Sequence, residues 1–105
     1  MKTFAEFWPF YLREHAKPVT RRLHFVGTTL SLCFFAYALA AGRPWFFLAA
    51  LVCGYAFAWV AHFFVEHNRP ATFKYPFWSF GADFKMWALA LTGKLAGELQ
   101  RAGVR

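Results

Sequence analysis

The chain is organised around residues 61–71, which read AHFFVEHNRPA. This stretch closes a long apolar segment and carries an imidazole, a carboxylate and a guanidinium in quick succession. On an α-helix, with about 100° between neighbours, Glu66 lies about 40° from His62, and Arg69 lies almost in line with it. The proline after Arg69 disfavours helix, so the helix is predicted to end there. His67 points about 140° away from His62 and is assigned to a different surface.

Two uncharged blocks, residues 25–42 and 45–61, predict the fold. At 1.5 Å per residue each reaches roughly 27 Å, the second with the help of residues 63–65, close to a hydrocarbon core of about 30 Å. A pair of buried helices in a soluble bundle is the alternative, but 105 residues could hardly cover two such helices on all sides. The sequence therefore predicts an all-α, small integral membrane protein: a helical hairpin of two transmembrane spans with flanking interfacial helices.

The segments on either side of the hairpin are amphipathic. Thr3 and Glu6 have the spacing of a capping box, which predicts a helix start. After the hairpin, apolar residues recur at intervals of three and four, but charged residues interrupt them, so an interfacial or partly inserted helix is preferred to a third crossing. The single domain, residues 1–105, is accordingly divided into an interfacial helix over 1–17, a first span over 20–42, a second span over 44–69 and a last helix over 77–100.

The charge distribution predicts the orientation in the membrane. The net charge is +7, and of twelve lysines and arginines only Arg43 lies between the spans. By the positive-inside rule both termini, including Arg105, face the cytoplasm, in the inner membrane of a bacterium or the endoplasmic reticulum of a eukaryote. A basic chain also suggests nucleic acid, but these charges flank spans, so membrane lipids are the predicted partner and nucleic acid is not. Monomer and homo-oligomer are both left open.

Three histidines are predicted to share one end of the hairpin. His24 and His62 each lie 19 residues from Arg43, so antiparallel spans place them at equal depth near the cytoplasmic interface. His15 ends the first helix on the same side. Neutral imidazoles with a carboxylate such as Glu66 bind zinc or non-haem iron, and two histidines with one carboxylate form the open facial set for Fe(II) and O2. For any one histidine, an interfacial residue making one hydrogen bond is the simpler interpretation.

Other interpretations of the same residues stay open. Arg69 either clamps an anionic substrate bidentately or pairs with Glu66. A non-enzymatic haem or electron-transfer module would use His24 and His62 as axial ligands across the hairpin. A metal-free scaffold that binds lipid is the third alternative.

The residues also carry a family resemblance. The chain resembles the small membrane proteins that include the fungal 2-hydroxy fatty acid dioxygenase, through Tyr11-x-x-x-His15, His24 nine residues later and His62-x-x-x-Glu66-x-x-Arg69-Pro70-Ala71. The resemblance covers roughly residues 7–32 and 54–76. The fungal form is longer between the two histidine blocks, and it has an asparagine shortly before its second histidine, where this chain has a Thr-Arg-Arg run.

The resemblance implies a reaction and a cofactor. It implies Fe(II), O2 and an α-oxidation step that shortens a 2-hydroxy fatty acid by one carbon, with the iron on the three histidines. In the mechanism we predict, Glu66 is a ligand or supports one, Arg69 neutralises the substrate carboxylate, and the alkyl chain lies between the spans. The predicted site residues are, for the metal, His15, His24, His62 and Glu66, for catalysis Glu66 and Arg69, and for substrate binding Arg69, Tyr11 and Tyr55.

Overall fold

A computed structural model describes residues 1–104 of the protein. Arg105, which the charge argument assigns to the cytoplasm, lies outside the described residues. The helices are, in chain order, α1 (Phe4–Arg13), α2 (Pro18–Ala41), α3 (Trp45–Val60), α4 (Pro76–Leu91) and α5 (Leu95–Arg101), with a π-helical turn over Ala61–Glu66 and a 3-10 turn over Ala71–Phe73. Residues 1–104 contain no strand, and the predicted all-α class is confirmed.

Two helical segments are long and apolar enough to cross a membrane. They are α2, with 24 residues, and α3 continued by the π-helical turn, with 22 residues. Only 17% of the apolar window of the first and 22% of that of the second are buried within the protein. The core helix of a soluble protein would be mostly buried, so these exposed apolar surfaces favour lipid as their surroundings. In the described chain, α4 has 16 residues and is shorter than the roughly 20 that a span needs.

The turn between the two long helices forms where the sequence predicts it. Gly42 ends α2 in the left-handed conformation, with φ of 63°, and Pro44 directly precedes α3. The start of α2 differs from the prediction, because the first span was expected to begin at residue 20 and the helix begins two residues earlier, at Pro18. Pro18 occupies the first helical turn, where its missing N–H costs nothing and its fixed φ suits a helix.

The two long helices approach each other closely at Gly27. A Cβ added there would lie 2.6 Å from the Cβ of Phe57, which is too close for real atoms. We expect Gly27→Ala to lower the free energy of unfolding by about 1–3 kcal/mol through overpacking, despite alanine's higher helix propensity. Gly54→Ala is the matched control, because its Cβ would lie 3.5 Å from the Ser31 hydroxyl, and we expect no loss. Thermal unfolding in detergent measures both variants. Equal melting temperatures would mean that Gly27 is not needed for this approach.

The aromatic face of α1 is covered by protein. Its buried side chains are Phe7, Trp8, Tyr11 and Leu12. They pack against Ala82 and Met86 of α4 and Leu99 of α5. The Trp8 indole N–H also donates to the Glu98 carboxylate at 3.0 Å. This core lies beside the hairpin and fixes the end of α1, and with it His15, next to α2.

Candidate metal centre

Three buried histidines from three different segments meet at the end of the hairpin opposite its turn. His15 follows α1, His24 lies in α2, and His62 lies in the π-helical turn. The Nε2 atoms of His15 and His24 are 3.0 Å apart, and those of His24 and His62 are 3.4 Å apart. The three rings are between 1% and 6% exposed. Equal spacing about Arg43 predicted the matching depth, and the structure adds that the ring nitrogens of His24 and His62 meet.

Two of the rings are oriented by their other nitrogen. His15 Nδ1 lies 2.7 Å from the Tyr11 carbonyl oxygen, and because a carbonyl only accepts, Nδ1 carries the hydrogen. His62 Nδ1 donates to Asn68 Oδ1 at 2.7 Å. The orientation of that amide follows from its other end, since Asn68 Nδ2 donates to the Glu14 carbonyl at 3.0 Å. In the neutral form of both rings, Nε2 is therefore unprotonated and directs its lone pair into the cluster.

The donor set fits a metal ion. Lone pairs that face each other at these distances repel unless a proton or a cation lies between them, and a hydrogen on His24 Nε2 can serve only one neighbour. Metal–imidazole bonds of about 2.0–2.1 Å put neighbouring ligand nitrogens about 3 to 3.5 Å apart in tetrahedral or octahedral sites. All three candidate ligand atoms lie within 4.8 Å of one another. An Nδ1–H donated to an oxygen acceptor is also the usual support of a metal-bound histidine.

Burial sets the protonation of the groups around the cluster that lie outside the two long helices. Burial lowers the pKa of His15 well below its usual value, and the neighbouring His24 and His62 lower it further, so this ring is neutral at pH 7. The Tyr11 hydroxyl donates to the Asp83 carboxyl, which also lies 3.8 Å from His24 Nδ1. Burial raises the pKa of Asp83 to about 7, although the Tyr11 hydrogen bond opposes this. Burial, and then the charge of Asp83, raise the pKa of Tyr11, which stays a donor.

The Glu66 carboxylate is bound elsewhere than at the imidazoles. It accepts hydrogen bonds from the Lys17 backbone N–H at 2.7 Å and from the Thr20 hydroxyl at 2.6 Å. It thus caps the N-terminus of α2, where the helix dipole favours a negative charge. The prediction from helix angles concerns only the direction of Glu66 and does not identify these two partners at the start of α2. The structure does not bring Glu66 into the histidine group, and its ligation of a metal stays a prediction.

Two substitutions separate capping from ligation. We expect Glu66→Gln to keep its bound metal, because an amide oxygen still accepts a bond at the start of α2. Glu66→Ala should instead lower the free energy of unfolding by about 0.5–2 kcal/mol, the usual cost of a lost helix cap. Metal content by mass spectrometry and thermal unfolding measure the two effects. A Gln variant that loses the metal at unchanged melting temperature would establish Glu66 as the ligand that the sequence predicts.

The remaining predicted residues lie at different distances from the cluster. Tyr55 lines a small cavity of about 20 Å³ that all three imidazoles also line. Arg69 is exposed, with its guanidinium carbon 4.9 Å from the centre of the Phe73 ring, and it is not on that lining. His67 is exposed, as expected, and its left-handed φ of 59° ends the second helical segment at Glu66 rather than at residue 69.

A buried hydroxyl faces the same small cavity. Ser79 is 4% exposed, and within residues 1–104 its hydroxyl has no hydrogen-bond partner. A buried donor without a partner costs free energy, which a bound ligand would recover. About 20 Å³ suffices for a water-sized ligand and is far too small for a porphyrin between His24 and His62. The geometry therefore favours a bare metal ion with a small ligand over the haem alternative.

The comparison with known families agrees with this geometry. A family model described as 2-hydroxy-palmitic acid dioxygenase Mpo1-like matches residues 1–95 of the 105-residue chain. The matched part contains all three cluster histidines, Ser79 and Asp83. No curated protein and no solved structure matches the chain. Because the family model spans nine tenths of the sequence, the chain belongs to the 2-hydroxy-palmitic acid dioxygenase Mpo1-like family.

Proposed function

We propose that the protein is an Fe(II)-dependent membrane dioxygenase that shortens 2-hydroxy fatty acids by one carbon. The observation that carries this proposal is the convergence of three buried imidazole nitrogens, which suits iron and leaves positions for oxygen ligands. The family description supports a 2-hydroxy acid as the substrate. Zinc also accepts three imidazoles, so the metal is part of what the experiment must determine.

The proposed reaction balances with one molecule of O2 and no external reductant. A 2-hydroxy acid and O2 give the carboxylic acid with one carbon fewer, CO2 and water. The bond between C1 and C2 breaks, C2 is oxidised from an alcohol to a carboxyl carbon, and C1 leaves as CO2. These two carbons lose four electrons, and O2 takes up all four.

The chain's own residues supply the surroundings for this chemistry. Bound iron would provide the redox activity that lets O2 react with a carbon skeleton. His15, His24 and His62 would hold it, and the burial of these rings keeps bulk water out. The Ser79 hydroxyl is the donor that we propose for a small oxygen ligand in the adjoining cavity. The Asp83 carboxyl lies 3.8 Å from His24 Nδ1, on the other side of that ring.

Purified protein tests the function directly. Protein prepared without chelators is analysed for metal, and iron-loaded and zinc-loaded samples are incubated with 2-hydroxypalmitic acid in air. We expect iron as the bound metal, and pentadecanoic acid with one CO2 for each acid in the iron sample alone. Zinc as the native metal with no shortened acid would overturn the proposal, and a Soret band would replace it with the haem alternative.

We propose further that the histidine cluster and both ends of the described chain face the cytoplasm. The charge distribution supports this orientation, and so does the single cation, Arg43, at the turn. With Cys33 and Cys53 replaced by alanine, a membrane-impermeant maleimide applied to intact cells should label a cysteine at Arg43 and not one at Lys2. Labelling at Lys2 with none at Arg43 would show that the topology is the inverse of the one proposed.

A further inference from the structure

A large cavity in the described chain lies outside the hairpin interface. It has a volume of about 610 Å³ and lies between α2, α4 and α5. Most of its lining is apolar and includes Phe25, Trp87 and Leu95. Its volume is within the usual range for small-molecule sites, about 300–1,000 Å³. The sequence analysis places the alkyl chain of the substrate between the two spans. The cavity that α2 and α3 share with α4 has only about 60 Å³, which is too small for a long alkyl chain.

The large cavity adjoins the metal centre. His24 and Asp83 line both this cavity and the small one that all three imidazoles share. A molecule in the large cavity can therefore reach the histidine cluster at one end while the rest of it stays among apolar side chains. This is the arrangement that an acid with a polar head and a long alkyl tail requires.

Two adjacent arginines on the cavity lining differ in their partners. The Arg21 guanidinium donates to the carbonyls of His15 and Ala16, at 2.7 and 2.8 Å, and so fixes the end of α1. Arg22 is exposed, and within residues 1–104 its guanidinium has no ion-pair partner. Arg22 thus offers a positive charge on the same cavity lining as His24. The one acidic side chain on the lining, Asp83, already accepts a hydrogen bond from Tyr11.

We propose that this cavity is the substrate site, with the carboxylate of a long-chain 2-hydroxy acid on Arg22 and its alkyl chain along Phe25, Trp87 and Leu95. The assignment rests on the proposed function, and it moves the anion contact from Arg69 to Arg22. Charge complementarity carries it, since a guanidinium at the polar edge of an apolar cavity fits a carboxylate on an alkyl chain. A fatty acid without the 2-hydroxyl occupies the same site but offers one ligand fewer near His24.

Binding under nitrogen tests the site without turnover. Full-length protein with its bound metal, in a neutral detergent, is titrated with 2-hydroxypalmitic acid by calorimetry. We expect Arg22→Gln to weaken binding about tenfold or more, Arg22→Lys to restore part of it, and Arg13→Gln, the same change at an exposed arginine away from the cavity, to have no effect. Unchanged binding by Arg22→Gln, or a larger loss in Arg69→Gln, would overturn the proposal.

A second variant tests the apolar part of the cavity. Ala90 on its lining is replaced by phenylalanine, which fills part of the space. We expect weaker binding of 2-hydroxypalmitic acid and little change for 2-hydroxyhexanoic acid, whereas Arg22→Gln should weaken both. Equal affinity of the two acids for the Ala90→Phe and wild-type proteins would overturn the assignment. Competition by phosphatidylglycerol at equal affinity would also overturn it, in favour of a lipid headgroup site.

The outcomes separate this proposal from the function itself. Wild-type protein that forms pentadecanoic acid, with an Arg22→Gln variant that binds normally, leaves the function standing and removes the cavity assignment. If the wild-type protein binds the acid through Arg22 but forms no shortened product, the binding-site assignment stands and the dioxygenase function is wrong.

Discussion

Replacing His15, His24 or His62 by alanine is expected to remove the bound metal and the formation of the shortened acid. Each variant leaves two imidazoles where one nitrogen from each of three rings now lies within 4.8 Å of the others. The loss of a residue that only supports a ligand costs about 10–100-fold in metal affinity, so the loss of a ligand should cost more than that. Metal per protein, measured by mass spectrometry, and pentadecanoic acid from 2-hydroxypalmitic acid are the two measurements.

The matched control is the fourth histidine. His67→Asn keeps a side chain that tolerates the left-handed backbone at this exposed position, and we expect normal metal content and turnover. All variants should still enter the membrane fraction, since none of them changes the apolar surface of α2 or α3. A two-ligand haem would survive the loss of His15, and a scaffold would hold no stoichiometric metal in any form. Full metal content in His15→Ala would therefore show that the three-histidine centre is wrong.

The fold could be predicted because composition alone constrains it. Two uncharged blocks separated by Gly42, Arg43 and Pro44 specify two long helices and a short turn. The position of α1 could not be predicted in the same way. An aromatic stripe on a short helix suits a lipid surface and a protein core equally well, and only the packing of Trp8 and Leu12 against α4 and α5 distinguishes them. Sequence periodicity describes one helix and says nothing about what covers it.

The shared depth of the histidines in the hairpin could be predicted because depth depends only on the number of helical residues between each histidine and the turn. Equal distances from Arg43 fix the depth of His24 and His62 whatever the exact helix rotation. The angular arguments apply only within the helix and do not say which groups a side chain will bind. The second helical segment ends at Glu66, with His67 in the left-handed conformation, and the Glu66 carboxylate is bound at the start of α2.

Asn68 was missed for the same reason. On a continuous α-helix a residue six positions after His62 points about 240° away from it, on the opposite side. In the structure the Asn68 N–H donates to the His62 carbonyl at 2.9 Å, and the chain turns back so that the Asn68 amide reaches the ring. Asparagine is also common just after the end of a helix, here after His67. The sequence therefore offered no reason to connect Asn68 with a metal centre.

Asn68→Leu is expected to lower metal affinity about 10–100-fold while leaving the hairpin intact. Asn68 Oδ1 accepts the Nδ1–H of His62, which keeps the Nε2 lone pair of that ring directed into the cluster. Its Nδ2 donates to the Glu14 carbonyl and so ties the end of α1, near His15, to the same turn. Leucine is close in size and removes both bonds. Competition with a chelator of known affinity measures the loss.

Asn68→Asp separates the two bonds. The carboxylate of the variant still accepts the hydrogen bond from His62 Nδ1, and the resulting carboxylate–histidine pair is of a kind that is common at metal sites. A carboxylate cannot donate to the Glu14 carbonyl, so that bond is lost. We therefore expect metal affinity within a fewfold of the wild type, together with a lower melting temperature, because the tie to α1 is lost. If the Asp and Leu variants lose metal affinity equally, the bond to Glu14 matters more than the orientation of the His62 ring. If neither loses any, His62 is held by the π-helical turn alone.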